Sequence, residues 1–298
     1  MNDKNLLYGA ASEIVTPFKE NGDIDFNLLD AEYEFLIKNG ITGLFVNGLA
    51  SEALMMTVEQ KIETVKRAVD VSNGRIPVFG NLIANNVEMA VDCMKGYEKA
   101  GATGIFITPP LIYKYTATGL YDYISGIARE TDLPVYIYNA PETGNKLSPE
   151  VLAKAFAENP NLRGYKDSTQ DIIHLQTLLD LIGKERHFEL MAGSDAQIYS
   201  IGMLGGLGVV SLITCVFPAL IVEMCKAMQE KDTQKAFELQ GKILRVRQAL
   251  KIGPFMAAYK YVSQLTGTPL GLIRAPLGSV SEAEKEKIKS LLIAENMI

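Results

Sequence analysis

Short apolar runs alternate with amphipathic stretches along most of the chain. The apolar runs are rich in β-branched and aromatic residues, which is typical of strands buried on both faces of a sheet. The stretches that follow them, such as 57–72 and 85–101, repeat apolar positions at helical spacing and often begin at a capping residue. The pattern predicts eight strands, at 10–17, 43–48, 76–82, 104–110, 134–141, 162–168, 188–195 and 208–215.

Eight strand and helix units predict a (β/α)8 TIM barrel, because an open doubly wound sheet, the second-ranked fold, usually has fewer strands. After a last barrel helix near 217–230, three helical stretches follow without strands between them. They lie at about 233–251, 254–266 and 281–296. We interpret residues 1–230 as a catalytic barrel and residues 231–298 as a C-terminal helical extension packed on it. No flexible linker separates them, so they form one unit.

Composition disfavours two classes of partner. The 298 residues carry a formal net charge of −6 and no long basic run, which argues against nucleic acid and anionic membrane surfaces.

No charged residue lies between Asp195 and Glu223, a length that would span a membrane. Glycines interrupt that segment, however, and its β-branched part is interpreted as a buried strand. Since no signal peptide is recognisable at the start, a cytoplasmic location is expected.

The cysteines and histidines indicate neither a disulfide framework nor a metal site. Cys93, Cys215 and Cys225 are odd in number and lack CxxC spacing, so they are interpreted as reduced core residues. His174 and His187 are too far apart for a helical ligand pair. The glycine-rich run before the last strand does not match a dinucleotide fingerprint. We therefore expect no metal and no cofactor.

The C-terminal ends of the strands are where barrel enzymes place their chemistry. Polar residues at those ends are, in chain order, Thr16, Asn81, Lys166, Asp167, Ser168 and Thr214. A lysine at the apolar mouth of a barrel is desolvated, which lowers its pKa and leaves free amine near neutral pH. Such an amine forms an iminium with a carbonyl compound, and the iminium serves as an electron sink. The alternative for Lys166 is an ion pair with Asp167.

A tyrosine at the end of the preceding strand is a candidate proton carrier. Tyr138 would protonate the carbinolamine and assist a departing oxygen, if it lies within hydrogen-bond reach. Tyr136 is two positions earlier and therefore faces the same side of the strand. Spacing alone does not decide between the two.

Several ordered motifs resemble the dihydrodipicolinate synthase and N-acetylneuraminate lyase family. They are VTPF near the start, YNAP at 138–141, GYKDST at 164–169, AGSD at 192–195, LGGLGVVS at 204–211 and RAPLGSVSEAEKEKI near the end. The resemblance spans nearly the whole chain. It implies a (β/α)8 barrel without metal, a Schiff base between Lys166 and pyruvate or a related 2-oxo acid, and Tyr138 as the catalytic tyrosine. It also implies a homotetramer in which Tyr113 or Tyr115 enters a neighbouring subunit's site.

One motif departs from the family. The loop after the second strand reads Gly48, Leu49, Ala50, Ser51 and Glu52, where family members usually have two hydroxyl residues after the glycine. In the family those hydroxyls and adjacent backbone N–H groups hold the carboxylate of the 2-oxo acid. Two hypotheses follow: Ser51 replaces part of that function, or backbone N–H groups hold the carboxylate alone. If neither holds, the donor is not pyruvate or the activity is lost.

The rest of the predicted pocket bears on the second substrate. By family position, Gly193 and Val210 contact the bound 2-oxo acid through main-chain groups. Dihydrodipicolinate synthases typically have an arginine after the catalytic tyrosine, whereas this chain has Glu142. A carboxylate there disfavours an acidic aldehyde unless Lys146 turns back to compensate. The last strand is not followed by a basic residue, which disfavours a phosphorylated substrate.

Three functions are carried forward. The first is a Schiff-base aldolase or lyase like N-acetylneuraminate lyase or a sugar-acid aldolase, which cleaves or forms a carbon–carbon bond between pyruvate and an aldehyde. The second is dihydrodipicolinate synthase. The third is a non-catalytic homologue that binds a 2-oxo acid, which the joint presence of Lys166 and Tyr138 disfavours.

Overall fold

Eight parallel strands form a closed barrel in the computed structural model, which describes residues 5–184 and 186–298. Each strand pairs with its neighbours in chain order, and β1 pairs with β8 to close the barrel. The strands are β1 (Gly9–Glu13), β2 (Gly43–Val46), β3 (Val78–Leu82), β4 (Gly104–Ile107), β5 (Val135–Asn139), β6 (Leu162–Asp167), β7 (Glu189–Ala192) and β8 (Gly208–Ser211). The predicted (β/α)8 fold is confirmed.

Helices follow the strands and then continue as a C-terminal group. They are α1 (Phe26–Lys38), α2 (Val58–Ser72), α3 (Val87–Lys99), α4 (Ala117–Ala128), α5 (Pro149–Glu158), α6 (Ile172–Ile182), α7 (Ile198–Met203), α8 (Pro218–Gln229), α9 (Thr233–Leu250), α10 (Ala257–Thr266) and α11 (Glu282–Ala294). Capping residues set several starts. Thr57 and Gln60 form a capping box at α2, and Ser281 and Glu284 form another at α11.

The strands are shorter than the apolar runs that predicted them. The first was expected to reach residue 17 but ends at Glu13, and the Val15 N–H beyond it donates to the Glu32 carboxylate instead of a neighbouring strand. The last was expected to reach residue 215, but Ile213–Cys215 form a short 3-10 helix. The uncharged segment before Glu223 divides into α7, β8 and the start of α8. In the described part of the chain, no helix is long and apolar enough to cross a membrane.

Aromatic rings fill the interior of the barrel below its C-terminal mouth. Phe45, Phe79, Phe106 and Tyr136 pack ring against ring, with centroids 4.8 Å apart for Phe45 and Phe106 and 5.0 Å apart for Phe106 and Tyr136. Tyr138 packs edge-on against Phe45 at 5.8 Å. These side chains fill the interior, as expected of a (β/α)8 barrel, in which the centre is a packed core and substrates bind at the C-terminal end.

The C-terminal helices pack against that same end. Helix α9 contacts α8, α11 and the short 3-10 helix Asp195–Gln197 that follows β7. The Gln240 side chain fixes this contact, because it donates to the Asp195 carbonyl and accepts from the Tyr199 N–H, both at 2.9 Å. The helical extension therefore supplies one wall above the strand ends.

Candidate active site

A cavity of about 640 Å³ lies at the C-terminal mouth of the barrel. Glu13, Tyr138 and Ser168 line it from the strand ends, and Arg247 and Tyr259 line it from the C-terminal helices. The cavity thus lies between the two parts of the chain, where a (β/α)8 enzyme binds its substrate.

Lys166 lies fully buried beside this cavity, with an exposed fraction of 0%. Its Nζ donates to Glu13 Oε2 at 2.9 Å and lies 3.9 Å and 3.7 Å from the ring centroids of Phe45 and Tyr138. Burial lowers the pKa of the Lys166 amine, and the negative charge of Glu13 acts in the opposite direction. The surroundings therefore favour free amine more than water does.

Asp167 does not pair with the lysine. Adjacent residues of a strand point to opposite faces, so Asp167 faces the surrounding helices while Lys166 faces the interior. The Asp167 carboxylate accepts hydrogen bonds from the hydroxyls of Tyr165 and Thr169 and from the Gln197 amide. Lys166 does form an ion pair, but its partner is Glu13 and not Asp167, the partner considered from the sequence.

Glu13 is a candidate site residue that the sequence analysis did not identify. It is buried at the end of β1, and its Oε1 accepts from the Ala50 N–H at 2.9 Å while its Oε2 binds Lys166 at the same distance. The alternation of side chains along β1 could have identified Glu13: Ala11 faces the barrel interior, and Glu13 lies two positions further on and therefore faces the same side. A carboxylate at an inward position is rare without a partner cation.

Tyr138 and Tyr136 both face the interior but lie at different depths. The Tyr138 ring contacts Lys166 Nζ, and β5 and β6 pair in a register that sets these two residues side by side. The Tyr136 hydroxyl instead donates to Glu189 Oε2 at 2.7 Å, towards the other end of the barrel. Burial and the charge of Glu13 raise the pKa of Tyr138 well above its ordinary value, while a Ser168 hydrogen bond lowers it. The phenol stays protonated at neutral pH.

The loop at residues 48–52 is held in place by an ion pair with one of the C-terminal helices. Leu49–Ser51 and Ala53–Met55 form two short 3-10 turns joined by Glu52, which has a left-handed conformation with φ 56°. The buried Glu52 carboxylate accepts from Lys260 Nζ at 2.7 Å and from the Arg274 N–H at 3.0 Å. This ion pair joins the loop to α10, so the backbone donors at the cavity are held in place.

The loop side chains differ in what they offer the cavity. Leu49 and Ala50 line it with aliphatic groups. The Ser51 hydroxyl is buried and donates to the Ile14 carbonyl at 2.6 Å. Gly48 packs against Glu13, and a Cβ there would lie 2.3 Å from Glu13 Oε1. No larger residue fits at position 48 while Glu13 keeps this position.

The remaining residues predicted for the site lie at different distances from it. Gly193 lines the cavity, and a Cβ there would lie 2.5 Å from Ser168 Oγ. Val210 is buried in the interior cluster that includes Tyr138. Tyr113 is 70% exposed on the loop after β4 and does not line the cavity of its own chain. Tyr115 is half-buried, and its hydroxyl is 3.4 Å from the Asn85 carbonyl.

Charges of both signs surround the outer part of the cavity. Glu142, Arg247 and Lys251 line it, whereas Lys146 donates to Asp171 Oδ2 at 2.7 Å. Lys146 is therefore ion-paired with a residue outside the cavity lining, and it does not neutralise the charge of Glu142. Burial and Arg247 lower the pKa of Lys251.

Neither histidine lines the cavity. His174 Nε2 lies 3.0 Å from the Tyr165 hydroxyl, and His187 Nε2 lies 3.0 Å from Glu189 Oε1. Over residues 5–184 and 186–298, no group of three His, Cys, Asp or Glu side chains is placed to hold a metal ion.

A (β/α)8 barrel with a buried lysine amine and a protonated tyrosine at its mouth defines the class of lysine Schiff-base lyases. The model of the dihydrodipicolinate synthetase family matches residues 7–295, and the chain belongs to this family. The resemblance found in the sequence is confirmed, and the chain is an enzyme of this lyase class.

Individual relatives match over almost their full lengths. A 4-hydroxy-tetrahydrodipicolinate synthase from Thermoanaerobacter sp. (strain X514) is 34% identical over 288 residues, which cover 96% of each chain. YagE of E. coli K12, solved in complex with pyruvate, is similar with a TM-score of 0.93 and 27% identity over 99% of this chain and 100% of that one. A dihydrodipicolinate synthase from Acinetobacter baumannii, also complexed with pyruvate, has a TM-score of 0.91 and 28% identity over 99% and 100% of the two chains.

Proposed function

We propose that this protein forms or cleaves a carbon–carbon bond next to the carbonyl of a 2-oxo acid, through a Schiff base on Lys166. The observation that carries the proposal is the buried Lys166 amine, whose pKa burial lowers, beside the cavity at the barrel mouth. Solved relatives in complex with pyruvate support a 2-oxo acid as the carbonyl substrate.

The chemistry follows from the two side chains. The free amine of Lys166 attacks the carbonyl carbon to give a carbinolamine, whose hydroxyl takes a proton from Tyr138 and leaves as water. The product is an iminium, and Tyr138 becomes a tyrosinate. In the cleavage direction the tyrosinate removes the proton of the substrate's hydroxyl, the carbon–carbon bond breaks, and its electrons enter the iminium to give an enamine. An aldehyde departs.

The names of the relatives favour dihydrodipicolinate synthase as the particular reaction. This reaction condenses pyruvate with an aldehyde that carries a carboxylate. Arg247 and Lys251 line the outer cavity and place positive charge where the acidic end of such an aldehyde would lie. The comparisons thus favour the function that the sequence placed second.

A specific observation keeps the N-acetylneuraminate lyase-like or sugar-acid aldolase activity as the second candidate. Glu142 lines the cavity, and Lys146 is bound to Asp171. A carboxylate at the mouth accepts hydrogen bonds from hydroxyl groups and repels a second carboxylate. A polyhydroxylated, neutral aldehyde fits that surface.

The experiment is to incubate the protein with pyruvate and sodium borohydride and to measure intact and peptide masses. Hydride reduces the iminium to a stable secondary amine, so we expect one adduct, on Lys166. Lys166→Met is the control. Release or consumption of pyruvate is then compared for aspartate semialdehyde and for sugar-derived 2-oxo acids. An absence of adduct, together with a rise in melting temperature on adding pyruvate, would instead support the non-catalytic binding protein.

Assembly is part of the proposal. The exposed Ile112 and Tyr113 project from the chain, with exposed fractions of 80% and 70%, as expected of residues that complete a neighbouring subunit's site. We infer a homotetramer, which sedimentation velocity tests directly; a monomer at micromolar concentration would contradict it.

A further inference from the structure

We propose that Glu13 determines specificity at the Schiff-base site: its carboxylate occupies the place that the α-carboxylate of a 2-oxo acid would take. The site is therefore biased towards carbonyl compounds with a neutral, hydrogen-bond-donating group at that place. This inference rests on the Schiff-base part of the proposed function and departs from its 2-oxo acid: pyruvate still forms an adduct on Lys166, but a neutral carbonyl compound forms it faster.

The first argument is geometric. The Glu13 carboxylate bridges Lys166 Nζ and the Ala50 N–H, at 2.9 Å from each nitrogen. In an iminium formed from a 2-oxo acid, the carboxylate carbon is bonded to the iminium carbon, so its oxygens lie about 3 Å from Nζ. Glu13 already holds a carboxylate at that distance from the amine.

The second argument concerns hydrogen-bond donors. The loop facing Lys166 has no free side-chain hydroxyl, because Leu49 and Ala50 are aliphatic and Ser51 Oγ donates to the Ile14 carbonyl at 2.6 Å. The Ala50 N–H is bound to Glu13. Gly48 lies against the same carboxylate, since a Cβ at position 48 would be only 2.3 Å from Glu13 Oε1. A second carboxylate would therefore compete with Glu13 for the Ala50 N–H.

The third argument is charge balance. The iminium on Lys166 carries one positive charge, and the buried Glu13 carboxylate balances it within hydrogen-bond distance. A substrate carboxylate would add a second negative charge to a site where the charges of Glu142 and Asp195 already act on Lys166. Buried charges without partners are strongly unfavourable. A neutral carbonyl compound leaves the pair balanced, and a hydroxyl next to its carbonyl would donate to Glu13.

Borohydride trapping with a matched pair of carbonyl compounds tests this inference. Pyruvate and hydroxyacetone both present a methyl ketone, but one carries a carboxylate where the other carries a neutral hydroxymethyl group. The rate of adduct formation on Lys166 is measured by mass spectrometry for each compound, in the wild type, in Glu13→Gln and in the control Glu142→Gln. The control removes a carboxylate that lines the cavity but does not bind the amine.

We expect the wild type to trap hydroxyacetone faster than pyruvate at equal concentration. Glu13→Gln should shift the ratio towards pyruvate by about tenfold or more, because it removes the like charge. Glu142→Gln should change the ratio by less than about threefold, because its charge is further from the amine.

Two results would overturn the assignment: a wild type that prefers pyruvate, or a ratio that Glu13→Gln leaves unchanged. If Glu13→Gln does not fold, as judged by circular dichroism, the rates of adduct formation are compared in the wild type for pyruvate and for its neutral amide, pyruvamide. Faster trapping of pyruvamide supports the role of Glu13, and faster trapping of pyruvate contradicts it. If folded wild type and both variants form no Lys166 adduct with any of these compounds, the Schiff-base proposal fails first, and the role of Glu13 fails with it.

Discussion

The charge on Lys166 depends on two opposing influences. Burial lowers the pKa of the amine, while the Glu13 carboxylate raises it. Only the unprotonated amine attacks a carbonyl, so the rate of Schiff-base formation should rise with pH and level off above that pKa. In Glu13→Gln the opposing influence is removed, and the rise should occur at a lower pH than in the wild type.

The measurement is the initial rate of borohydride trapping of hydroxyacetone between pH 5 and 10, in both proteins. Glu142→Gln is the matched control, and it should shift the profile less, since Glu13 accepts a hydrogen bond from the amine whereas Glu142 lines the outer part of the cavity. A profile that is unchanged in Glu13→Gln would show that Glu13 does not set the protonation of the amine.

Tyr138 and Tyr136 provide a matched pair for the proposed proton transfer. Tyr138→Phe removes the hydroxyl of the ring that contacts Lys166 Nζ and should lower kcat about 10²- to 10⁴-fold, with the Lys166 adduct still forming slowly. Tyr136→Phe removes a hydroxyl bound to Glu189 and should lower stability with little change in kcat. Equal losses of kcat in the two variants would contradict the role proposed for Tyr138.

The residues of the site differ in how far the sequence could predict them. Lys166 stood out because it ends an apolar strand, and Tyr138 because it ends the neighbouring one. Glu13 was missed although it also ends a strand, since the predicted strand ran on to residue 17 and placed Glu13 in its middle. Which carboxylate reaches Lys166 depends on β1 and β6 facing each other across the barrel. That contact spans 153 positions and leaves no local pattern.

At the scale of elements, the existence of each strand was predictable and its end was not. Apolar runs arise from burial on both faces, which the whole barrel imposes. Strand ends are set by local turns, such as the 3-10 helix Ile213–Cys215. The three C-terminal helices were predicted within a few residues because capping groups such as Asp232 and Ser281 mark their starts.

The 48–52 loop depends on one buried ion pair between elements far apart in sequence. Lys260→Met leaves the Glu52 carboxylate buried without its cation, which should reduce the free energy of unfolding by about 3–5 kcal/mol. Because Glu52 holds the loop that carries the Ala50 N–H, trapping at Lys166 should also slow. Urea denaturation and borohydride trapping measure the two effects.

Lys66→Met is the control for this prediction, since Lys66 pairs with Asp70 on the surface of α2, where an ion pair contributes little. The double variant Glu52→Gln, Lys260→Met removes both charges and should regain part of the lost stability. A Lys260→Met protein as stable as Lys66→Met would show that the pair does not anchor the loop.

For the whole molecule, a buried carboxyl outside the site contributes to how stability varies with pH. Glu32 on α1 is fully buried, its Oε1 accepts from the Val15 N–H at 3.0 Å, and its Oε2 lacks a hydrogen-bond partner among the described residues. Burial raises its pKa from 4.5 to about 8. The folded chain therefore binds a proton that the unfolded chain releases between these two pH values.

That difference fixes the sign of the effect. Between about pH 4.5 and 8 the folded state holds more protons at Glu32, so the stability that this group contributes at low pH is lost as pH rises towards 8. Glu32→Gln resembles the protonated carboxyl at every pH. Its free energy of unfolding should therefore fall less than that of the wild type between pH 5 and 9, by a difference on the order of a few kcal/mol. Urea denaturation at both pH values measures this, with the exposed Glu282→Gln as control; parallel curves for wild type and Glu32→Gln would show that Glu32 titrates normally.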